Sequence, residues 1–179
     1  VLLERLKSLH RQQVVLMEID LNSQGASSLM ERQGQLADVS AELSQQAFVS
    51  PLLQIGLQGV ASLQAKAAGI MVSEMQDARK FQQDAVELLE VMIGAAAEEL
   101  AAVQEGQEDH RKSAKVNSDA LSLLRIMQKR LHSEVNPLIN KTDLNEEEKQ
   151  QLNSLIQHQV RIVEAVKQMQ MTQEDAVDE

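Results

Sequence analysis

The chain has only two prolines, Pro51 and Pro137, and both stand in similar short segments, VSPLL and VNPLI. In each segment the proline follows Ser or Asn, which are favoured N-cap residues. Proline also suits the first position of a helix, because the N–H that it lacks would have no partner there. Both segments therefore predict the end of one helix and the start of the next, with room for long helices between them. The likeness of the two segments fits either this shared task or an internal repeat.

Apolar residues on both sides of these segments recur at three- and four-residue spacing, as in Leu2, Leu6 and Leu9. This is the period of an amphipathic helix. We predict a first helix over residues 1 to about 47 and a second from Pro51 to about residue 103. A helix as long as the first cannot bury its apolar stripe alone, so it needs partner helices.

The second half of the chain predicts two more helices. A polar segment around Gly106 separates the second helix from a third, which begins near Asn117 or Ser118. Asn145 followed by three glutamates matches a capping box at the start of a fourth helix. The predicted fold is therefore all-α: an elongated up-down-up-down four-helix bundle with long helices, formed by residues 1–179 as a single helical-bundle domain.

The residues that are available for a core agree with this fold. Trp, Tyr and Cys are absent and there are only two Phe, so a core must be built from Leu, Ile, Val, Met and Ala. Most of these residues favour helices, and the eight Met can fill irregular gaps. Strands usually draw on aromatic and β-branched residues, so the composition favours helices over strands.

Residues 43–65 carry no charge, although 25% of the chain is charged. The segment is long enough to span a membrane. However, eight of its side chains are amides or hydroxyls, each of which would need a partner in lipid, and Pro51 breaks it near its middle. We therefore interpret the segment as a turn followed by the buried start of the second helix.

Several classes of function are excluded by composition and motifs. The net charge of −10 argues against nucleic-acid binding, which depends on clustered Lys and Arg. Without Cys there is no disulfide or Cys-metal site, and the four His form none of the pairs that a di-iron bundle uses. No nucleophile elbow or phosphate-binding loop occurs. We therefore predict no enzymatic activity, no metal site and no cofactor.

Three basic residues lie at similar depths in the predicted bundle. Arg32, Lys66 and Arg161 are about 15 residues along their helices when counted from the end that carries Pro51, or ~22 Å at 1.5 Å per residue. His158 lies one turn nearer to that end. Such a layer would bind a carboxylate or another small anion between the helices. The alternative is that these side chains reach solvent or pair with neighbouring acidic residues.

A run of small residues, GAAAEELAAV at positions 94–103, has two interpretations. Small side chains allow helices to approach closely within one bundle. They also allow a second bundle to pack against the first, and on this basis we predict a homodimer.

The chain resembles the four-helix-bundle extracytoplasmic sensor domains of bacterial chemoreceptors and sensor histidine kinases. The features that carry the resemblance are the first helix, which starts at Val1 without a cap, the turns in FVSPLL and VNPLINKTDLN, and the last helix running to Glu179. The resemblance implies a periplasmic or otherwise extracytoplasmic domain that dimerises, binds a small ligand and shifts its last helix in response. It also implies contact with the membrane only through spans that flank this chain.

A structural or interaction bundle is the competing interpretation. A bundle that is rich in Ala, Leu and Gln and lacks Trp also suits cytoskeletal adaptor rods of the talin or vinculin type, which are cytoplasmic. It equally suits the coiled-coil part of a secreted translocator or toxin. All these interpretations treat the chain as a fragment of a longer protein, because both of its ends resemble helix interiors.

Overall fold

The computed structural model describes residues 1–19, 25–46, 49–104, 118–141 and 143–174. Helices make up most of these residues, and no β-strand occurs among them. The prediction of an all-α fold is therefore confirmed, as expected for a chain rich in helix-forming residues and poor in aromatic ones.

The described part of the chain contains six helices in two compact units. The N-terminal unit is Val1–Leu100 and the C-terminal unit is Ala101–Glu179, where the sequence predicted one domain over residues 1–179. The helices, numbered in chain order, are α1 (Leu2–Glu18), α2 (Ala26–Ser44), α3 (Pro51–Ile70), α4 (Met75–Gln104), α5 (Ser118–Ile139) and α6 (Glu146–Glu174).

The first predicted helix is in fact two helices that fold back on each other. The amides of Gln13 in α1 and Gln33 in α2 exchange two hydrogen bonds, of 3.0 and 2.8 Å. In one continuous helix these residues would lie about 30 Å apart. The prediction of a single helix over residues 1–47 is therefore wrong. Two short helices cover each other's apolar stripes, whereas one long helix would leave its stripe without a partner in this segment.

The second predicted helix is also divided. α3 ends at Ile70, and the chain turns at Met71–Glu74, where the Glu74 N–H donates a 2.7 Å hydrogen bond to the Ile70 carbonyl. After this turn α4 lies against α3, with the backbone of Gly56 beside the Met92 side chain. The prediction of one continuous helix is therefore wrong here too, because the returning helix provides the apolar cover that α3 needs.

The uncharged segment 43–65 provides much of the core of the N-terminal unit. Pro51 is the first residue of α3, as predicted, and ten residues of this helix are buried. α3 makes its most extensive contact with α2. The interpretation of this segment as the buried start of a helix is therefore confirmed. Among the described residues, no helix combines the length and apolar character that crossing a membrane requires.

In the C-terminal unit, α5 and α6 pack against each other. Pro137 lies inside α5, which continues to Ile139. The prediction that Pro137 starts a new helix is therefore wrong. A proline removes the backbone hydrogen bond to the carbonyl four residues earlier and bends a helix at that point. Only two residues of α5 follow Pro137, so little of the helix lies beyond the bend.

The start of α6 is as predicted. The Asn145 side-chain oxygen accepts a 2.9 Å hydrogen bond from the Glu148 N–H, and the Asn145 N–H donates a 3.0 Å bond to the Glu148 carboxylate. This is the capping box expected from the sequence. The Lys141 ammonium also pairs with Glu148, and these two donors lower the pKa of the Glu148 carboxyl.

Replacing Gly56 by Ala should destabilise the N-terminal unit by up to about 2 kcal/mol. The added Cβ would lie 2.8 Å from the sulfur of Met92, a fully buried side chain that would have to move. Overpacking of this kind costs about 1–3 kcal/mol, and the higher helix propensity of Ala offsets about 1 kcal/mol of it. The free energy of unfolding in urea measures the effect.

Gly34→Ala is the matched control for this substitution. Gly34 lies inside α2, and a Cβ added there would have no neighbouring atom within 4 Å. The control should therefore gain about 0.5–1 kcal/mol from helix propensity alone. Equal stabilisation by the two substitutions would contradict the close contact between Gly56 and Met92.

Candidate functional site

Five polar side chains are buried together in the N-terminal unit. Four are glutamines, one from each of α1 to α4: Gln13, Gln33, Gln64 and Gln82. The fifth is Ser40 of α2. None of the five residues is more than 1% exposed. We call these five side chains the glutamine layer. A buried amide costs free energy unless it is hydrogen-bonded, so the layer is expected to pair its amides internally.

The members of the glutamine layer are joined by one hydrogen-bond network. In addition to the reciprocal pair between Gln13 and Gln33, the Gln64 amide donates to the Gln13 carbonyl at 3.0 Å. The Gln82 amide donates to the Gln33 carbonyl at 2.8 Å. The Ser40 hydroxyl donates to the Gln64 carbonyl at 2.8 Å. All four helices are therefore tied together at one level.

One polar atom of the glutamine layer lacks a hydrogen bond. The side-chain oxygen of Gln82 is buried and has no hydrogen-bond partner among the described residues. An unsatisfied buried acceptor costs about 1–3 kcal/mol. The layer therefore fixes which helix faces which, while it makes the N-terminal unit less stable than full pairing would.

The apolar stripe of each helix brings its glutamine into the layer. Every glutamine of the layer has a buried apolar residue four positions before it and another three positions after it, so it points to the same side of its helix as they do. The sequence analysis missed this pattern, which was visible as a glutamine inside the stripe of four successive segments. The flanking pairs are Leu9 and Leu16, Leu29 and Leu36, Val60 and Ala67, and Ala78 and Ala85.

Two further contacts join α1 to α4. The Arg79 guanidinium donates to the carbonyls of Leu16 and Ile19, at 3.3 and 2.8 Å. It therefore satisfies backbone groups at the C-terminal end of α1, where a positive charge is favoured. In the middle of α1, the His10 ring lies 3.2 Å from the Glu90 carboxylate.

The start of α3 is joined to α4 through a carboxyl group. Ser50 is the N-cap residue of α3, as predicted, but its hydroxyl donates a 2.8 Å hydrogen bond to Glu99 instead of accepting one from the helix backbone. Much of the Glu99 side chain reaches solvent, yet desolvation of its carboxyl group beside α3 raises its pKa. The hydrogen bond from Ser50 opposes this shift.

The four predicted anion-binding residues fall in the two separate units. Arg32 on α2 and Lys66 on α3 belong to the N-terminal unit, and both are half-buried. The Lys66 ammonium lies 6.0 Å from the centre of the Phe81 ring. His158 and Arg161 lie on α6 in the C-terminal unit. Arg32 and Lys66 therefore lie on two helices that contact each other, and His158 and Arg161 lie three positions apart on one helix.

His158 lies in a group of charged side chains between α5 and α6. Burial lowers the pKa of His158, as do the nearby charges of Arg161 and Arg130, while Glu134 raises it. Arg130 pairs with Glu134 at 3.6 Å. We call these four residues the His158 cluster. Two of its members, His158 and Arg161, were among the four predicted anion-binding residues. The α5 members were not placed with them, because the sequence does not show which residues of α5 face α6.

The described residues contain no group of three or more His, Asp or Glu side chains arranged to hold a metal ion. Comparison of the chain with protein-family models, with curated proteins and with solved structures found no match. The glutamine layer and the His158 cluster are therefore the features on which a functional proposal can rest.

Gln33→Met and Gln82→Met should have different effects on stability. Gln33 accepts hydrogen bonds from Gln13 and Gln82, so its loss leaves two buried donors without their partner and should cost about 2–4 kcal/mol. Loss of Gln82 removes one bond but also the unpaired oxygen, so the change should stay within about 1 kcal/mol. Urea unfolding measures both, and equal costs would contradict the assigned network.

Glu99→Gln should stabilise the protein at pH 7. Because the folded state binds the Glu99 proton more tightly than the unfolded chain, the wild type loses stability as pH rises from the ordinary pKa of Glu to the raised one. The E99Q variant has no such loss, and its amide oxygen still accepts a hydrogen bond from Ser50. The difference should shrink below about pH 4, where the carboxyl is protonated in both states.

Thermal unfolding of both proteins between pH 3 and pH 8 measures this difference. Glu98→Gln, at the neighbouring exposed position, is the matched control for the loss of one negative charge. A stability gain in E98Q with the same size and pH dependence would contradict a specific role for the Glu99 carboxyl.

Proposed function

We propose that the chain is the extracytoplasmic ligand-sensing domain of a bacterial transmembrane receptor, which passes on ligand binding as a displacement of packed helices and not by catalysis. In this proposal the four helices of the N-terminal unit form an up-down-up-down bundle. The pairing of His10 with Glu90 and of Ile19 with Arg79 supports opposite directions for α1 and α4. The observation that carries the proposal is the glutamine layer.

An amide layer suits a helix bundle with two arrangements. Each glutamine side chain has two donor hydrogens and one acceptor oxygen, so it can exchange one amide partner for another when a helix slides or rotates. A second arrangement would therefore keep most of the hydrogen bonds of the first. Packed interiors favour such discrete arrangements over continuous deformation.

The unpaired oxygen of Gln82 reduces the free-energy difference between two such arrangements. Its cost of about 1–3 kcal/mol is present in the observed arrangement and is removed in any arrangement that supplies a donor. A gap of a few kcal/mol leaves the minor arrangement about 0.1–10% populated, and a ligand that binds it more tightly shifts the population toward it. The layer thus provides the bistable element that a sensor requires.

Methyl relaxation-dispersion NMR tests this proposal. The wild-type protein should show exchange on the μs–ms timescale at methyl groups beside the layer, such as those of Leu16, Leu36 and Val60. Gln82→Met should weaken this exchange, because it removes the unpaired oxygen. Gln83→Met is the matched control, since Gln83 is the next residue of α4 and is exposed.

Two results would contradict the proposal. One is the absence of exchange at these methyl groups in the wild type. The other is equal exchange in the Q82M and Q83M variants, which would separate any motion from the glutamine layer.

A structural or interaction bundle, such as an adaptor rod segment, is the second candidate function. The observation that favours it is an exposed apolar stripe on α6. Ile156, Val160 and Val163 share one face of this helix and are 49%, 44% and 41% exposed. In this proposal a second copy of the chain covers the stripe and forms the homodimer expected from the sequence.

The sequence of the parent gene on both sides of this chain separates the two candidates. Apolar segments of about 20 residues on both sides would support the receptor domain. Further amphipathic helices in place of such segments would support the rod and exclude the receptor.

A further inference from the structure

A cavity of about 210 Å³ lies between α1 and the second half of α2. We call it the α1–α2 cavity. Its apolar lining comes from Leu9 and Leu43, which are buried, and from Val39, which is 49% exposed and leaves the cavity open to solvent on that side. Pockets for drug-sized ligands measure about 300–1,000 Å³. The α1–α2 cavity therefore suits a smaller molecule.

Two side chains of opposite charge line the α1–α2 cavity without pairing with each other. The Arg5 guanidinium donates a hydrogen bond of 2.9 Å to the side-chain oxygen of Gln46, and its other N–H groups remain available to a ligand. The Glu42 carboxylate forms no hydrogen bond or ion pair within the described part of the chain. Both charged side chains are exposed, so a molecule that enters from solvent can reach them.

The end of α2 sets the spacing of these two charges. Gln46, which holds the Arg5 guanidinium, lies four residues after Glu42, close to one helical turn of ~5.4 Å. A ligand with a carboxylate at Arg5 and an ammonium at Glu42 therefore needs a chain of atoms between its charged groups. An α-amino acid carries both groups on one carbon, which places them too close together. An ω-amino acid carries them at opposite ends of an alkyl chain.

We propose that the α1–α2 cavity binds a short ω-amino acid. The carboxylate of the ligand lies against Arg5, its ammonium lies against Glu42, and its alkyl chain covers Leu9 and Leu43. Each charged group of the ligand then meets an opposite charge, and the chain buries apolar surface. The inference rests on the proposed sensing function, since it names the ligand class of that domain. It uses none of the four residues predicted to bind an anion, Arg32, Lys66, His158 and Arg161.

The α1–α2 cavity is close to the glutamine layer along both helices. Leu9 lies four residues before Gln13, and Leu43 lies three residues after Ser40, so each leucine is on the same side of its helix as a member of the layer. A molecule seated between α1 and α2 favours one separation of these helices. It thereby favours one arrangement of the layer over another. The position of the cavity thus connects ligand binding with the proposed displacement of helices.

Methyl NMR spectra recorded at pH 7 during a titration with 5-aminopentanoate test the proposal. The methyl signals of Leu9, Val39 and Leu43 should shift and reach saturation. Norvaline is the matched control ligand, because it has the same atoms as 5-aminopentanoate but carries both charged groups on one carbon. It should bind about tenfold more weakly or worse, as should pentanoate and pentylamine, each of which lacks one of the two charges.

Substitutions of the two charged residues test their roles separately. Arg5→Gln and Glu42→Gln should each weaken binding of 5-aminopentanoate about tenfold, because each removes one charged partner. Arg11→Gln and Asp38→Asn remove the same charges from exposed positions outside the cavity and should leave the affinity unchanged. The double variant R5E/E42R exchanges the two charges and should recover most of the affinity, since the ligand can bind in the opposite direction. Far-UV circular dichroism checks that each variant keeps its helices.

The possible outcomes separate this site from the proposed transmission of a signal. The site would be overturned by the absence of methyl shifts up to about 10 mM 5-aminopentanoate, by equal binding of norvaline, or by equal weakening in R5Q and R11Q. A double variant that binds no better than R5Q would overturn it as well. Specific binding in a protein whose glutamine layer shows no exchange would support the site and refute only the proposed transmission. Exchange at the layer together with no binding would overturn the site and leave the transmission in place.

Discussion

A buried amide must find hydrogen-bond partners, and this requirement organises the N-terminal unit. Gln13, Gln33, Gln64 and Gln82 come from four different helices, and their amides bond to one another where these helices meet at one level. Apolar side chains would pack in several registers at similar free energy, since dispersion and burial are not directional. Hydrogen bonds between amides are directional, so a shift of one helix changes which amides are paired. The positions of the helix breaks and the set of buried residues are consistent with this constraint.

Other polar contacts of the unit hold the ends of the helices. Arg79 satisfies the last carbonyls of α1, and Ser50 joins the start of α3 to Glu99 of α4. These contacts are partly exposed to solvent, which weakens their electrostatic attraction. A unit whose ends are held by modest contacts and whose centre is an incompletely paired network is suited to moving between two packings. This is the physical basis of the proposed sensing function.

The C-terminal unit places a different chemistry between its helices. α5 and α6 enclose ionisable groups instead of amides, so their contact depends on charge and on pH, whereas the glutamine layer depends on geometry alone. A pair of helices can accept charged groups at this point because Arg130 and Glu134 remain partly open to water, with side chains 21% and 27% exposed. A fully enclosed charge of this kind would need complete pairing.

The sequence by itself determined the features that depend on neighbouring residues. The all-α fold, Pro51 at the start of α3 and the capping box of Asn145 and Glu148 are local, because helix hydrogen bonds and caps join residues three or four positions apart. Only the tertiary structure decided where the long predicted helices break, that α5 continues through Pro137, and which glutamines bond to one another. The place of a glutamine inside an apolar stripe indicates that it can be buried, but not which amide it bonds to. What distinguishes Gln13 or Gln82 is a partner 20 to 50 residues away, and such pairs form only when the helices have packed.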